Sequence, residues 1–303
     1  MNTMKSRPLV AGVDGSPSAL HAVRWAAEEA GRRGKPLRLL HACFIPPVPP
    51  RVPVALPREY RDALVEQGHD WLTEAAAAAR EAAPGVEVET ELRTGIATEL
   101  LVTESAQAEL VVLGSRGLGG FSGLLVGSVA VALGHHGHCP VVIVRGRTPE
   151  SAPPASGPVV VGVDNSANCD DAIDFAFAAA ALRRVPLVAV HAWNDLSLDR
   201  GWPLLPAQLD FRLIQDEEAR GLSEHLAAWR DKYQDVEVIE RPVRDRPARA
   251  LLKAAEDARL LVVGSHGRGG FAGMWLGSTS QTLLHHSSCP VAVIRPASDR
   301  RQR

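Results

Sequence analysis

No stretch of this 303-residue chain approaches the run of about 18 apolar residues that marks a membrane-spanning helix. The N-terminus, Met1-Asn2-Thr3-Met4-Lys5, lacks the apolar core of a secretory leader and runs straight into a strand-like segment. Basic residues are not in excess. The formal net charge is −2 and the arginine-rich tail at Arg300, Arg301 and Arg303 is short, so sequence-independent nucleic-acid binding lacks its electrostatic basis. Cysteine is scarce too. The four thiols, Cys43, Cys139, Cys169 and Cys289, show no metal-type or redox-type pairing and read as free and buried. These absences lead us to expect a soluble cytoplasmic protein with neither membrane nor nucleic acid as partner.

What the chain has is repetition. Val10-Ala11-Gly12-Val13-Asp14 returns as Val160-Val161-Gly162-Val163-Asp164, and Leu40-His41-Ala42 as Val190-His191-Ala192. Gly114-x-x-Gly117, nine residues, then Gly127-Ser128 returns as Gly264-x-x-Gly267, nine residues, then Gly277-Ser278. Cys139-Pro140-Val141 returns as Cys289-Pro290-Val291, and the offset stays at 150 throughout. A period of that length is far beyond the roughly 20–50 residues of solenoid units, so each copy is a complete fold. The expected domains are 1–147 and 158–296, joined by a Pro/Ser/Ala linker at 148–157 and followed by a tail at 297–303.

Within the first copy, Pro8 to Val13 reads as a buried strand ended by an Asp-Gly-Ser-Pro turn. Ser16 or Ser18 can N-cap the next helix, where Ala19, Ala22, Val23, Ala26, Ala27 and Ala30 form an apolar stripe ended by Gly31 and Gly34. Pro36 to His41 is a second strand, and an alanine-rich helix runs through Glu81. A third strand from Val86 to Leu92, a helix over Ala97 to Ala106 and a fourth strand at Leu110 to Leu113 follow. A last helix begins near Ser128, and Pro140 to Val144 closes the copy as a fifth strand. Strands alternating with helices predict, in each copy, a five-stranded parallel sheet with helices on both faces, a Rossmann-like α/β fold.

In such sheets ligands sit beyond the carboxyl ends of the strands, where the strand order reverses. Asp14, Ala42 and Gly114 each follow directly on a strand and can converge on one crevice. The loop Gly114-Ser115-Arg116-Gly117-Leu118-Gly119-Gly120 lets backbone approach a ligand closely. Gly127-Ser128 then opens a helix whose free N–H groups and positive dipole end suit a phosphate, with Ser128 as a hydroxyl donor and Arg116 as a charge contact. The second copy offers Asp164, Ala192, Gly264, Ser265, His266, Gly267, Gly269, Gly270, Gly277 and Ser278. Glycines after a strand also serve as plain turn residues, and Ser128 as a plain N-cap; identical spacing in two copies favours the binding reading. Other phosphate signatures are missing. There is no P-loop lysine motif, and Gly12-Val13-Asp14-Gly15 lacks the dinucleotide spacing.

A strand-end Asp combined with Gly-x2-Gly-x9-Gly-Ser after the fourth strand resembles the universal stress protein family, in its ATP-binding branch and tandem-domain form. The resemblance covers about 8–146 and 157–296. It implies an adenine nucleotide alpha hydrolase-like fold and ATP as ligand, with Mg2+ as its companion. Gly12, Val13, Asp14 and Ala42 would flank adenine and ribose, and Gly114, Gly117, Gly127 and Ser128 the phosphates. Gly162, Val163, Asp164 and Ala192, then Gly264, Gly267, Gly277 and Ser278, would do the same in the second copy. The family's glycine before the third helix is Gly95 in the first copy but Asp245 in the second, so the ribose sides differ. The resemblance also implies pairing of the two fifth strands, with a homodimer left open.

Several residues invite other chemistry. His135, His136, His138 and Cys139, like His285, His286 and Cys289, suggest a metal, but neighbours on a helix point about 100° apart. They read as helix-end partners for the dipole and last carbonyls. His41 and His191 read as hydrogen-bonding supports beside the site. Trp193, Trp202, Trp229 and Trp275 read as packing residues, with adenine stacking open to Trp193 alone. The proline-rich loop from Pro46 to Pro57 reads as a stiff spacer. No base, lysine or arginine clamp for phosphoryl transfer is evident, so a stress-responsive binding module is expected, with slow ATPase or nucleotidyl transfer as the alternative.

Overall fold

In a computed structural model of the chain, the described residues are 6–45, 58–117, 127–148, 151–193, 211–267 and 276–296. The chain divides into two compact units, Met1–Pro153 and Pro154–Arg303. Among the described residues, no helix is long and apolar enough to cross a membrane.

The first unit runs β1 (Leu9–Val13), α1 (Pro17–Arg33), β2 (Leu37–Cys43), α2 (Arg58–Ala82), β3 (Val88–Thr94), α3 (Ala97–Ser105), β4 (Leu110–Gly114), α4 (Ser128–His136) and β5 (Val141–Val144). The strands lie in the order β3-β2-β1-β4-β5, and every pairing is parallel. From β1 the chain winds outward to β2 and β3, then returns to β4 on the other side of β1. The strand order therefore reverses between β1 and β4, and that is where the connections diverge and leave a crevice. Helices α1 and α2 pack together, as do α3 and α4, covering the two faces.

Local chemistry explains the boundaries. Ser16 caps α1 by accepting from the Ala19 N–H at 3.1 Å, Pro17 occupies the first helical position, and Gly34 ends the helix at φ 61°. Ala19, Ala22, Val23, Ala26, Ala27 and Ala30 are all buried, the small side chains letting α1 lie close on the sheet. Pro140 has no N–H to give, so the ladder of β5 begins at Val141, although the Pro140 carbonyl still accepts from Val111 at 3.0 Å. The third strand starts two residues later than its alternating pattern predicts, at Val88.

The second unit repeats the plan with β6 (Val159–Gly162), a 3-10 turn at Ala167–Cys169, α5 (Asp170–Arg183), β7 (Leu187–Ala192), α6 (Phe211–Lys232), β8 (Val238–Val243), α7 (Pro247–Ala255), β9 (Leu260–Gly264), α8 (Ser278–His286) and β10 (Val291–Ile294). Its order is β10-β9-β6-β7-β8, again all parallel. Its first helix begins differently. The 3-10 turn precedes α5, no side chain caps it, and Arg184 takes the left-handed position at φ 50° that Gly34 fills in the first unit. Phe177, fully buried on α5, stacks on Tyr233 at 5.5 Å where the first unit uses Ala27.

Candidate functional site

The end of β1 fixes one carboxylate. Asp14 Oδ1 accepts from the Ser16 N–H at 3.0 Å and from Ser16 Oγ at 2.7 Å, the hydroxyl that also caps α1. Gly15, at φ 81°, makes the turn, and any Cβ there would strike the indole of Trp71. With Oδ1 held by the turn, Oδ2 faces Gly117, where a Cβ would collide with it. Asp164 repeats the arrangement, accepting from the Ser166 N–H at 3.0 Å and Ser166 Oγ at 2.6 Å. A Cβ at Gly267 would lie 3.1 Å from Asp164 Oδ2.

Beyond β4, Gly114 presses on the start of α1, where a Cβ would stand 2.7 Å from the Ser18 backbone. Ser115 is buried and works through its backbone. Its N–H donates to Val144 at 3.1 Å, and its carbonyl accepts from the Gly127 N–H at 3.0 Å, tying the start of the glycine loop to its end. Ser265 and Gly277 make the same tie at 2.8 Å. Helix α4 then starts with Gly127 as N-cap and no side-chain cap bond, so its first-turn N–H groups lack intrahelical acceptors. No acidic residue sits in that first turn. The positive end of the helix is thus ready for an anion.

These elements enclose a cavity of about 470 Å³ in the first unit. One wall is apolar, from Leu40, Ala97, Leu101, Leu113 and Val129, together with Ala19 and Ala130. The polar end is formed by Asp14, Gly114, Arg116, Gly117, Gly127 and Ser128. Gly12, Val13 and Ala42 complete the lining, and a Cβ at Gly12 would stand 2.5 Å from Leu113 Cδ2, displacing that side chain. Arg116 Nε is buried and has no hydrogen-bond partner among the described residues. One side of the cavity suits a flat apolar ring and the other suits negative charge.

Among the described residues assigned from the sequence in this unit, two lie off this lining. Ser115 is one. Gly95 is the other, at φ 151° with its N–H bonded to Cys43 at 3.0 Å, so its place demands a glycine backbone. At the matching place, Asp245 accepts from the Arg246 N–H at 2.5 Å and from Arg249 Nε at 2.6 Å. The Arg249 hydrogen bond holds its carboxyl below the usual range. That carboxylate is ion-paired with Arg249 at the start of α7.

In the second unit a Cβ at Gly162 would meet Leu251 at 3.0 Å, and one at Gly264 the His266 carbonyl at 3.1 Å. Ser265 is buried, its Oγ 3.0 Å from His266 Nδ1, and Ser278 opens α8. Val163 donates its N–H to Val190 at 2.9 Å, which holds the end of the first strand beside β7 and Ala192. Gly119, Gly120, Gly269, Gly270, Trp202, Trp275 and the Pro46–Pro57 loop lie outside the described residues.

His41 and His191 act as supports, each placing Nδ1 2.8 Å from the carbonyl of Val13 or Val163. The helix-end histidines and their cysteines do not form a three-ligand cluster among the described residues. His138 donates its backbone N–H to Ser105 at 2.9 Å. Trp229 stacks on His225 at 5.8 Å, and Trp193 is buried with Arg244 6.0 Å from its ring. Trp71, Glu218, Leu101 and Leu113 carry no local signature in the sequence, because only the packing of their elements brings them to the site.

The fold and site define a tandem of Rossmann-like α/β units, each with a glycine loop joining its fourth strand to an uncapped helix. The model of the universal stress protein family matches residues 5–145 and again 156–295. The chain is 40% identical over 312 residues to universal stress protein Rv1996 of Mycobacterium tuberculosis, covering 96% of each. It is 39% identical over 290 residues to universal stress protein Rv2623 of the same species, covering 95% of this chain and 96% of that protein. A crystal structure of a universal stress protein from Archaeoglobus fulgidus shares the fold at TM-score 0.68 and 20% identity, covering 96% of this chain and 99% of that one. The chain belongs to the universal stress protein family.

Proposed function

We propose that each unit binds one adenine nucleotide, ATP with Mg2+, in the crevice between its first and fourth strands, and that occupancy sets the shape the protein presents to a regulatory partner. The observation that carries this reading is the first-unit cavity, with an apolar wall at one end and an uncapped helix N-terminus at the other. Adenine packs on the apolar side beside Ala42, ribose lies near Asp14, and the phosphates lie over Gly114, Gly117, Gly127 and Ser128. Asp14 keeps Oδ2 directed at the loop because Ser16 holds Oδ1. The corresponding set around Asp164 serves the second unit.

Native mass spectrometry and calorimetry of the full chain test this, with ATP, ADP, AMP and cyclic AMP compared. The expected result is adenine nucleotide at one equivalent per unit, with ATP preferred. Absence of any adenine nucleotide under both methods overturns it. Slow hydrolysis in the same crevice is the competing reading. Turnover abolished by Asp14→Ala together with Asp164→Ala would establish it in place of a pure binding role.

A further inference from the structure

The turn into α5 brings three different ligand types to one point. Cys169 Sγ lies 3.6 Å from His225 Nε2, which lies 3.1 Å from Asp170 Oδ1, and the three donor atoms are all within 4.8 Å of one another. Two come from the entry to α5 and the third reaches over from α6. The first unit has Ala19, Leu20 and Ala75 at the corresponding positions, with no ligand among them. The fold therefore does not require this cluster, and it belongs to the second unit alone.

We propose that Cys169, Asp170 and His225 form a zinc site. Tetrahedral zinc, with sulfur at about 2.3 Å and nitrogen or oxygen at about 2.0–2.2 Å, holds its donors roughly 3.2–3.6 Å apart. The 3.6 Å and 3.1 Å separations come close to two edges of that triangle, and the third edge, between Cys169 and Asp170, is within 4.8 Å. Thiolate, imidazole and carboxylate together suit zinc, whereas Mg2+ and Ca2+ take oxygen ligands. Asp170 and His225 are only part-buried, at 47% and 21% side-chain exposure, so an ion has a way in and a fourth position open to water.

The electrostatics agree. Burial pushes the Cys169 thiol up to about 12, and the negative charges of Asp164 and Asp170 act in the same direction. Burial favours neither charge, but the negative charges of Asp164 and Asp170 attract a divalent cation, and a bound cation takes the thiolate. The positive end of α5 opposes the cation but favours that thiolate. On binding, the S–H now directed at the Ser166 carbonyl at 2.9 Å loses its proton to solvent. His225 ligates through the Nε2 lone pair, so the ring proton that Nε2 shares with Asp170 in the metal-free protein moves to Nδ1. One proton is released for each ion bound.

Titrating Co2+ into the metal-free full chain tests this by spectroscopy. The expected result is a sulfur-to-cobalt charge-transfer band and tetrahedral visible bands that saturate at one equivalent and are displaced by Zn2+. Cys169→Ala and His225→Ala install the residues the first unit carries at these positions, which protects folding, and each is expected to remove the band. Nucleotide stoichiometry, measured alongside, keeps this outcome separate from the proposed function. No band, a band retained in Cys169→Ala and hence due to Cys43, Cys139 or Cys289, or failure of Zn2+ to displace Co2+ overturns the proposal.

Discussion

His191 Nε2 stands 2.9 Å from Glu218 Oε2, while the equivalent ring of His41 faces Gly68. A Cβ at Gly68 would lie 2.6 Å from His41 Cδ2, so no side chain fits there in the first unit. The space is filled from one turn along α2 by Trp71, which meets His41 edge-on at 5.3 Å and lies over Gly15. The second unit exchanges all three positions. Gly221 replaces Trp71, Asn165 at φ 56° replaces Gly15, and Glu218 replaces Gly68. Both units fill one space beside a strand-end histidine, the first with an indole and the second with a polar pair.

That exchange predicts unequal consequences for the two histidines. Glu218→Ala leaves the buried His191 Nε2 with only Asn165 Nδ2, 3.5 Å away. Loss of a partner by a buried polar group costs about 1–3 kcal/mol, read from urea unfolding, and Glu218→Gln should recover most of it. A Glu218→Ala protein as stable as the parent would show that the pair contributes nothing.

Replacing the loop glycines should separate the two crevices. A Cβ at Gly117 collides with Asp14 Oδ2, whereas one at Gly267 stands 3.1 Å from Asp164 Oδ2 and needs only a small shift. Gly117→Ala should weaken nucleotide binding in the first unit about tenfold or more, roughly 1.4 kcal/mol, while Gly267→Ala has a smaller effect on the second. Calorimetry on the two single variants checks the order, and equal effects would contradict the geometry.

Sequence alone revealed the duplication, the strand-helix alternation and the polar half of the crevice, because those features depend on glycine, aspartate and turn chemistry at fixed spacing. Asp14, Gly114, Gly117 and Gly127 fall on the cavity for that reason. The apolar half was illegible. Leu101 and Leu113 line the cavity, yet in sequence they look like any core leucine. The Gly95 and Asp245 contrast is legible in sequence, but the Arg249 bond to that carboxylate, set by helix geometry four residues on, is not. The Cys169–His225 approach spans 56 residues, beyond any ligand-spacing motif.

Ser16 joins stability to site geometry, so its removal should affect both. Ser16→Ala deletes the α1 cap and one donor to Asp14, with an expected loss of about 1 kcal/mol and weaker nucleotide binding in the first unit. Ser166 donates to Asp164 in the same way, but no side chain caps α5. Ser166→Ala should therefore lower affinity in the second unit with a smaller change in stability. Denaturant midpoints and stoichiometries for the two variants distinguish the roles, and matching stability losses would refute the asymmetry.

Cys169 also gives the metal-free protein a defined alkaline weakness. Its thiol is raised from an ordinary 9.0 to about 12, chiefly by burial. Its contribution to stability is full below pH 9, where folded and unfolded chains both keep the proton. As pH rises above 9 the unfolded chain loses its proton first, which draws the equilibrium toward unfolding until the folded thiol itself ionises near 12. The slope approaches a limit of about 1.4 kcal/mol per pH unit. Cys169→Ala should flatten that part of the profile whatever it does to stability at neutral pH. Urea unfolding from pH 8 to 10.5 in the presence of a chelator measures the slope directly, and an identical alkaline slope in parent and variant would exclude Cys169 as its source.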